Sequence, residues 1–307
     1  MPRIAHVPAA LLVIAVLALP GCSATGPAPA PSTCTDPAST GHIVVGYKTD
    51  RPGLTQQDGD TFIGFEPALV GVLAGDMQLA VTSEPISTGS WGLELDECTI
   101  SIAVASISWT GPRAADFYLT SAYLQTQLGV LAAVGQTLSP DVTGFTGQKV
   151  CYVVSSDTDE PTTAQSDFAK QQYSGMAGDP ESSSDQCLTN LLNGRDEFFV
   201  SDAAILRGIF LDDYSPTGGT ASWSFSENND FGTTYDYVVA LKRDPQHLAL
   251  CLKISSLISQ YTASVSDDDT WWQNFSDELG GPTGDSQKAA LQNSYFPSTK
   301  PPSPSCT

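Results

Sequence analysis

One uncharged, largely apolar run, Thr99 to Ala105 (TISIAVA), constrains the fold most. A strand with one wet face alternates apolar and polar side chains, whereas a continuous apolar run belongs to a strand covered on both faces. Comparable short runs stand at His42 to Tyr47 (HIVVGY), Gln127 to Val134 (QLGVLAAV), Lys149 to Val154 (KVCYVV), Glu197 to Val200 and Asp236 to Leu241 (DYVVAL). Between them the apolar spacing turns helical. Leu69, Val72 and Leu73 mark a helix over 65–77, and a second is expected over 164–173. Ser183 and Gln186 make a capping box ahead of Cys187, Leu188, Leu191 and Leu192, with Gly194 as the stop. Asp202 opens a helix over 203–210, and Leu250, Ile254, Leu257, Ile258 and Tyr261 line a longer one. Strands alternating with helices predict α/β layers. The stretch from Asp50 to Gly64 reads as a loop, and Ser139 to Gly147 as a turn-rich connection. With 41 % hydrophobic and 15 % charged residues, the chain can build a sizeable core, and global disorder is excluded.

The N-terminus points to export. Arg3 precedes an apolar run from Ala9 to Leu19, which has the length of a signal-peptide core and is too short to span a membrane. Leu19-Pro20-Gly21-Cys22 resembles a bacterial lipobox, which implies removal of 1–21 and diacylation of Cys22. Two acyl chains would then hold the protein on the outer face of the cell membrane. Residues 22–33 read as a flexible tether and 298–307 as a Pro/Ser-rich tail. Beyond Cys22 stand Cys34, Cys98, Cys151, Cys187, Cys251 and Cys306. An even count in an exported chain predicts three disulfides, and six cysteines allow fifteen pairings. There is no C-x-x-C, and the mature chain has only His42 and His247, so no zinc or other metal is expected.

Charge and motifs exclude several function classes. Thirteen Lys and Arg against 34 Asp and Glu give a net charge of −21, unsuited to nucleic acid or to charge-driven binding of anionic membranes. Small anions stay open, since a few local cations decide their binding. No P-loop, dinucleotide fingerprint, nucleophile elbow or H-E-x-x-H is present, so neither a cofactor nor a catalytic centre is expected. His42 and His247 read as surface residues. Asp267 to Asp269 read as a solvated helix start and not as a calcium loop, because Trp271 and Trp272 follow where oxygen ligands would be needed.

Four segments, in order, resemble the amino-acid-binding lipoproteins of bacterial ABC importers, the solute-binding proteins of family 3, and within them the glutamate/glutamine type. They are Gly46 to Gly53 (GYKTDRPG), Ile63 to Leu69 (IGFEPAL), Ala105 to Arg113 (ASISWTGPR) with Phe117 to Tyr123 (FYLTSAY), and Leu188 to Leu206. Two departures stand out: that family usually has Asp where Pro67 or its neighbour stands, and Pro where Ala122 stands. The resemblance implies the type II periplasmic-binding-protein fold, two α/β lobes around a ligand cleft. Lobe 1 would take 34–133 and 235–297, and lobe 2 would take 134–234. It also implies a monomer that binds a small amino acid and works with an ABC permease, or with a membrane sensor partner. Enzymes such as cyclohexadienyl dehydratases share the fold and form a third reading.

The residues suit an α-amino acid. The Arg113 guanidinium offers a planar fork for the α-carboxylate. Ser106 and Ser108 on the same loop would add a hydroxyl and backbone groups, and Ser156 a donor from lobe 2. Asp202 would accept from the ammonium, cap the helix it precedes, or do both. Lys48 and Arg51 would favour a ligand carboxylate or amide, pointing to Glu, Asp, Gln or Asn. Tyr47 and Trp91 are candidate walls, with Trp91 equally readable as core. Binders of basic amino acids also occur in the family, so the side-chain preference stays open. For the disulfides, Cys151–Cys187 is expected inside one strand-helix unit of lobe 2. Cys34–Cys98 and Cys251–Cys306 follow only because all four lie in lobe 1.

Overall fold

The computed structural model describes residues 34–138, 147–153, 177–212, 223–227, 234–263, 270–280, 290–292, 294–296 and 306. The first elements are α1 (Pro37–Thr40), β1 (His42–Tyr47), β2 (Asp50–Arg51), β3 (Thr55–Asp58), β4 (Thr61–Ile63), α2 (Phe65–Met77), β5 (Ala80–Pro85) and α3 (Trp91–Asp96). Then come β6 (Ile102–Ser108), α4 (Gly111–Asp116), β7 (Phe117–Ala132), β8 (Lys149–Val153) and β9 (Ala177–Glu181). The rest are α5 (Ser184–Leu192), β10 (Phe198–Asp202), α6 (Ala203–Leu211), β11 (Ser224–Ser226), β12 (Thr234–Lys242), α7 (Pro245–Tyr261) and α8 (Thr270–Leu279). The helix expected over 164–173 lies outside the described residues.

Eight strands run in the order β5-β1-β6-β12-β7-β10-β8-β9, and β11 adds to β7. The flanks are parallel, β5-β1-β6 on one side and β10-β8-β9 on the other, while β12 and β10 lie antiparallel to β7. The sixteen residues of β7 serve both flanks in succession. Phe117 to Gln127 pair with β12, and Leu128 to Ala132 pair with β10. The result is α/β in two lobes sharing one strand.

β6 is buried at every position, as a strand covered on both faces must be. It begins three residues later than the apolar run suggests. Thr99 is used instead to close α3, its hydroxyl donating to the Glu94 carbonyl at 3.0 Å. The segment expected to be a loop holds a three-stranded antiparallel sheet, β2-β3-β4. Its strands are short and polar, so no apolar alternation announces them; Gly53 and Gly59 turn the chain at φ 74° and 60°. His247 is a second correction. It is buried, 2 % exposed, with Nδ1 on the Asp244 carboxylate at 2.8 Å.

Three disulfides staple the elements. Cys34–Cys98, Cys151–Cys187 and Cys251–Cys306 have Cα separations of 5.2, 5.5 and 5.8 Å. The two lobes meet where α6 crosses the turn after β2. Gly208 faces the Pro52 carbonyl there so closely that no Cβ could be placed between them.

Candidate functional site

The carboxyl ends of β1, β6 and β10 converge on one cavity, whose lining includes Lys48, Arg51, Trp91, Ser106, Ser108, Arg113 and Asp202. These seven, expected at the ligand from sequence, stand together although they are spread over 155 positions of the chain (48 to 202).

Arg113 is placed by its helix. The Thr110 hydroxyl caps α4, accepting from the Arg113 N–H at 3.3 Å, and Pro112 fits the first turn. The guanidinium folds back to donate to the Ser108 carbonyl at 2.8 Å and lies 5.8 Å from the centroid of the Trp91 ring. Burial works against its charge, and the Asp202 carboxylate works in favour of it.

Arg51 is 7 % exposed, and its Nη1 donates to the Ala105 carbonyl at 3.4 Å. Lys48 is 3 % exposed, and its amine has no hydrogen-bond partner among the described residues. Burial first, then Arg51, holds its pKa well below the ordinary lysine range.

Asp202 ends β10 and starts α6, yet makes no capping bond. Its Oδ2 accepts instead from the Tyr237 hydroxyl, and its Oδ1 has no partner among the described residues. Burial raises its pKa, while the Tyr237 bond, Arg51 and Arg113 pull it down. The Tyr237 phenol is held well above its ordinary range, by burial first and then by the Asp202 charge.

Behind this wall lies a residue that sequence reasoning missed. Glu66 is fully buried in the first turn of α2. Its Oε1 accepts from the Ser106 N–H at 2.6 Å, the Ser106 hydroxyl at 2.8 Å and the Tyr123 hydroxyl at 2.6 Å, and its Oε2 from the Thr55 hydroxyl. Ser106 has φ 51°, a left-handed conformation that a residue with a Cβ adopts only when its surroundings impose it. Glu66 imposes it, and the kink coincides with an irregular register between β6 and β12. The Ser106 N–H and hydroxyl are therefore both spent on Glu66, although Ser106 itself lines the cavity.

Two further expectations need correction or fall outside the structure. Tyr47 does not line the cavity; it is 1 % exposed in the main core, its ring 5.2 Å from that of Phe62. Ser156 lies outside the described residues. Ser184, the first residue of α5, Ser201 in β10 and Thr88 are further hydroxyl-bearing residues that line the cavity. The Ser183–Gln186 capping box carried the signal for Ser184, since it puts that serine at a helix N-terminus.

No protein-family model matches the chain, and no curated protein matches it either. Solved structures do. A substrate-binding protein of an ABC uptake transporter from Streptococcus pneumoniae, with bound histidine, superposes with a TM-score of 0.66 at 15 % identity, over 80 % of this chain and 95 % of that one. The P235GK mutant of ArgBP from T. maritima gives 0.63 at 14 %, over 79 % and 97 %. An ancestral arginine-binding protein bound to glutamine gives 0.62 at 16 %, over 78 % and 99 %. The fold is that of the periplasmic solute-binding proteins. In such folds ligands sit at the carboxyl ends of strands, which is where the charged cavity lies here.

Proposed function

We propose that this protein is an extracytoplasmic solute-binding protein, lipid-anchored through Cys22, that captures an acidic amino acid or its amide for an ABC importer. The fold shared with amino-acid-binding proteins supports the general reading. The charge inventory of the cavity carries the finer one. Its lining holds three basic side chains, Lys48, Arg51 and Arg113, against one carboxylate, Asp202. An α-amino acid's own carboxylate and ammonium match Arg113 and Asp202. Lys48 and Arg51 then remain without an opposing charge, so a second carboxylate or an amide oxygen completes the set. A guanidinium or imidazolium side chain would add a cation to two basic groups. In this reading the lobes are 34–133 with 235–297, and 134–234; they close on the ligand as a monomer, and the membrane partner is a permease.

The test is a thermal-shift screen of the chain against all amino acids. A ligand at 100 times its dissociation constant adds about 2.7 kcal/mol of stability. Glutamate, aspartate, glutamine or asparagine should give the largest shift. A larger shift with arginine, lysine or histidine overturns the assignment.

A further inference from the structure

The three disulfides sit in unlike surroundings. Cys151, Cys187, Cys251 and Cys306 are at most 1 % exposed, sealed in the main core. Cys34 is 7 % exposed and Cys98 is only half-buried, at the end of α3 with φ 61°. Polar groups also surround this pair. The Lys242 ammonium lies 3.6 Å from the Cys98 Sγ, held there by donating to the Asp96 carbonyl at 2.7 Å. On the other side the Cys34 sulfur, a ring nitrogen of His247 and a carboxylate oxygen of Asp244 all lie within 4.8 Å of one another. That carboxylate is already engaged, capping α7 through the Gln246 and His247 N–H groups and bonding the His247 ring.

We propose that Cys34–Cys98 is a thiol–disulfide exchange site, the one among the three disulfides that an external dithiol opens in the folded protein. The attacking thiolate reaches the Sγ of Cys98, the more exposed residue of the pair, and Lys242 favours its approach to a chain of net charge −21. A bond forms between the reductant's sulfur and Cys98 while the Cys34–Cys98 bond breaks, and Cys34 leaves as a thiolate beside His247. The reductant's second thiolate then attacks its own sulfur in the mixed disulfide, closing the oxidised dithiol and releasing the Cys98 thiolate beside Lys242. Two electrons pass from the dithiol to the pair, and its two protons end on Cys34 and Cys98. A nearby cation speeds such exchange by stabilising the thiolate that enters or leaves. Opening the bond frees Cys34, where the chain from the lipid tether enters lobe 1.

The experiment treats the oxidised protein with limiting dithiothreitol under native conditions, then alkylates it and maps the labelled cysteines. Cys34 and Cys98 should be labelled at least about tenfold faster than the other four, and Lys242→Gln should slow them by about threefold or more, an effect of removing one cation beside a sulfur. Lys242→Arg, which keeps the charge, should restore most of the rate. Cys151–Cys187 or Cys251–Cys306 opening as fast overturns the proposal. So does a Lys242→Gln rate equal to wild type, or a Lys242→Arg rate as slow as Lys242→Gln.

Discussion

Two buried carboxylates, Glu66 and Asp202, live under opposite conditions. Glu66, behind β6, takes four hydrogen bonds on its two oxygens. Asp202, which lines the cavity, takes one on Oδ2, and its Oδ1 has no partner among the described residues, as is true of the Lys48 amine in the same lining. A buried polar group costs stability unless it is bonded, so the first region is complete as folded and the second is not. Saturation suits a scaffold, and in the reading proposed above the open valences are where a ligand's charges bind. The difference also separates two phenotypes: damage behind β6 should cost the fold, and damage in the cavity should cost the ligand.

The largest effect should come from Arg113→Ala. Stranding a buried ligand carboxylate costs about 3–5 kcal/mol, roughly a hundredfold to several thousandfold in affinity. The melting temperature of the free protein should hardly move, because Arg113 keeps part of its surface in solvent. Titration calorimetry with the best amino acid from the screen measures the first, and a thermal melt the second. Affinity within threefold of wild type would place the site elsewhere.

The paired variants Glu66→Ala and Asp202→Asn test the comparison itself. Glu66→Ala leaves the Ser106, Tyr123 and Thr55 donors stranded and should lose about 2–4 kcal/mol of stability. Asp202→Asn should leave the free protein as stable or more so, while ligand affinity falls. The pH dependence has a definite sign. Burial raises the folded pKa of Asp202 above its unfolded value near 3.8. Between those two values stability falls as pH rises, and the penalty is complete above the folded pKa. The advantage of Asp202→Asn should therefore be greatest at neutral pH and shrink on acidification. If instead Asp202→Asn loses as much stability as Glu66→Ala, the two carboxylates are alike and the distinction fails.

Lys48 should give the smallest effect. Its folded pKa is lowered, and an anionic ligand beside it would raise that pKa again. Binding should then take up protons, and affinity should fall as pH rises from the free-state pKa toward the bound-state one. Calorimetry in two buffers of different ionisation enthalpy reads the uptake directly. Lys48→Met should abolish it and weaken dicarboxylate binding by about tenfold, the loss of one charge-assisted bond. Uptake that survives in Lys48→Met would assign the proton elsewhere.

Much of the architecture was legible because apolar periodicity reports burial. The strand at 42–47 and the helix at 65–77 follow from it with their observed bounds, and the run from Lys149 to Val154 marks the strand described over Lys149–Val153. The β2-β3-β4 sheet did not, because its strands are polar and its order comes from turns and backbone bonds. The cavity's cations could be picked out since cations are scarce in this chain. Glu66 could not: an acid in a helix's first turn looks like ordinary dipole complementation, and nothing local reveals that helix, strand and tyrosine close around it. Tyr47 erred in the other direction, since adjacency to Lys48 in sequence puts its side chain on the opposite face of the strand end.

The shared strand β7 also sets the mechanics of the molecule. Sixteen residues at about 3.3 Å each make a rod of roughly 53 Å, and it runs unbroken past the point where its partner changes from β12 to β10. A joint of this kind is a torsion spring and not a loose tether. A lobe rotation of about 30° shared by four residues asks about 8° of each, within the ±15–20° scatter of strand dihedrals. If the lobes close as proposed, no residue of β7 need cross a conformational barrier, and the bending of the strand would be elastic. Every ladder bond on either side of the handover acts as a restoring torque.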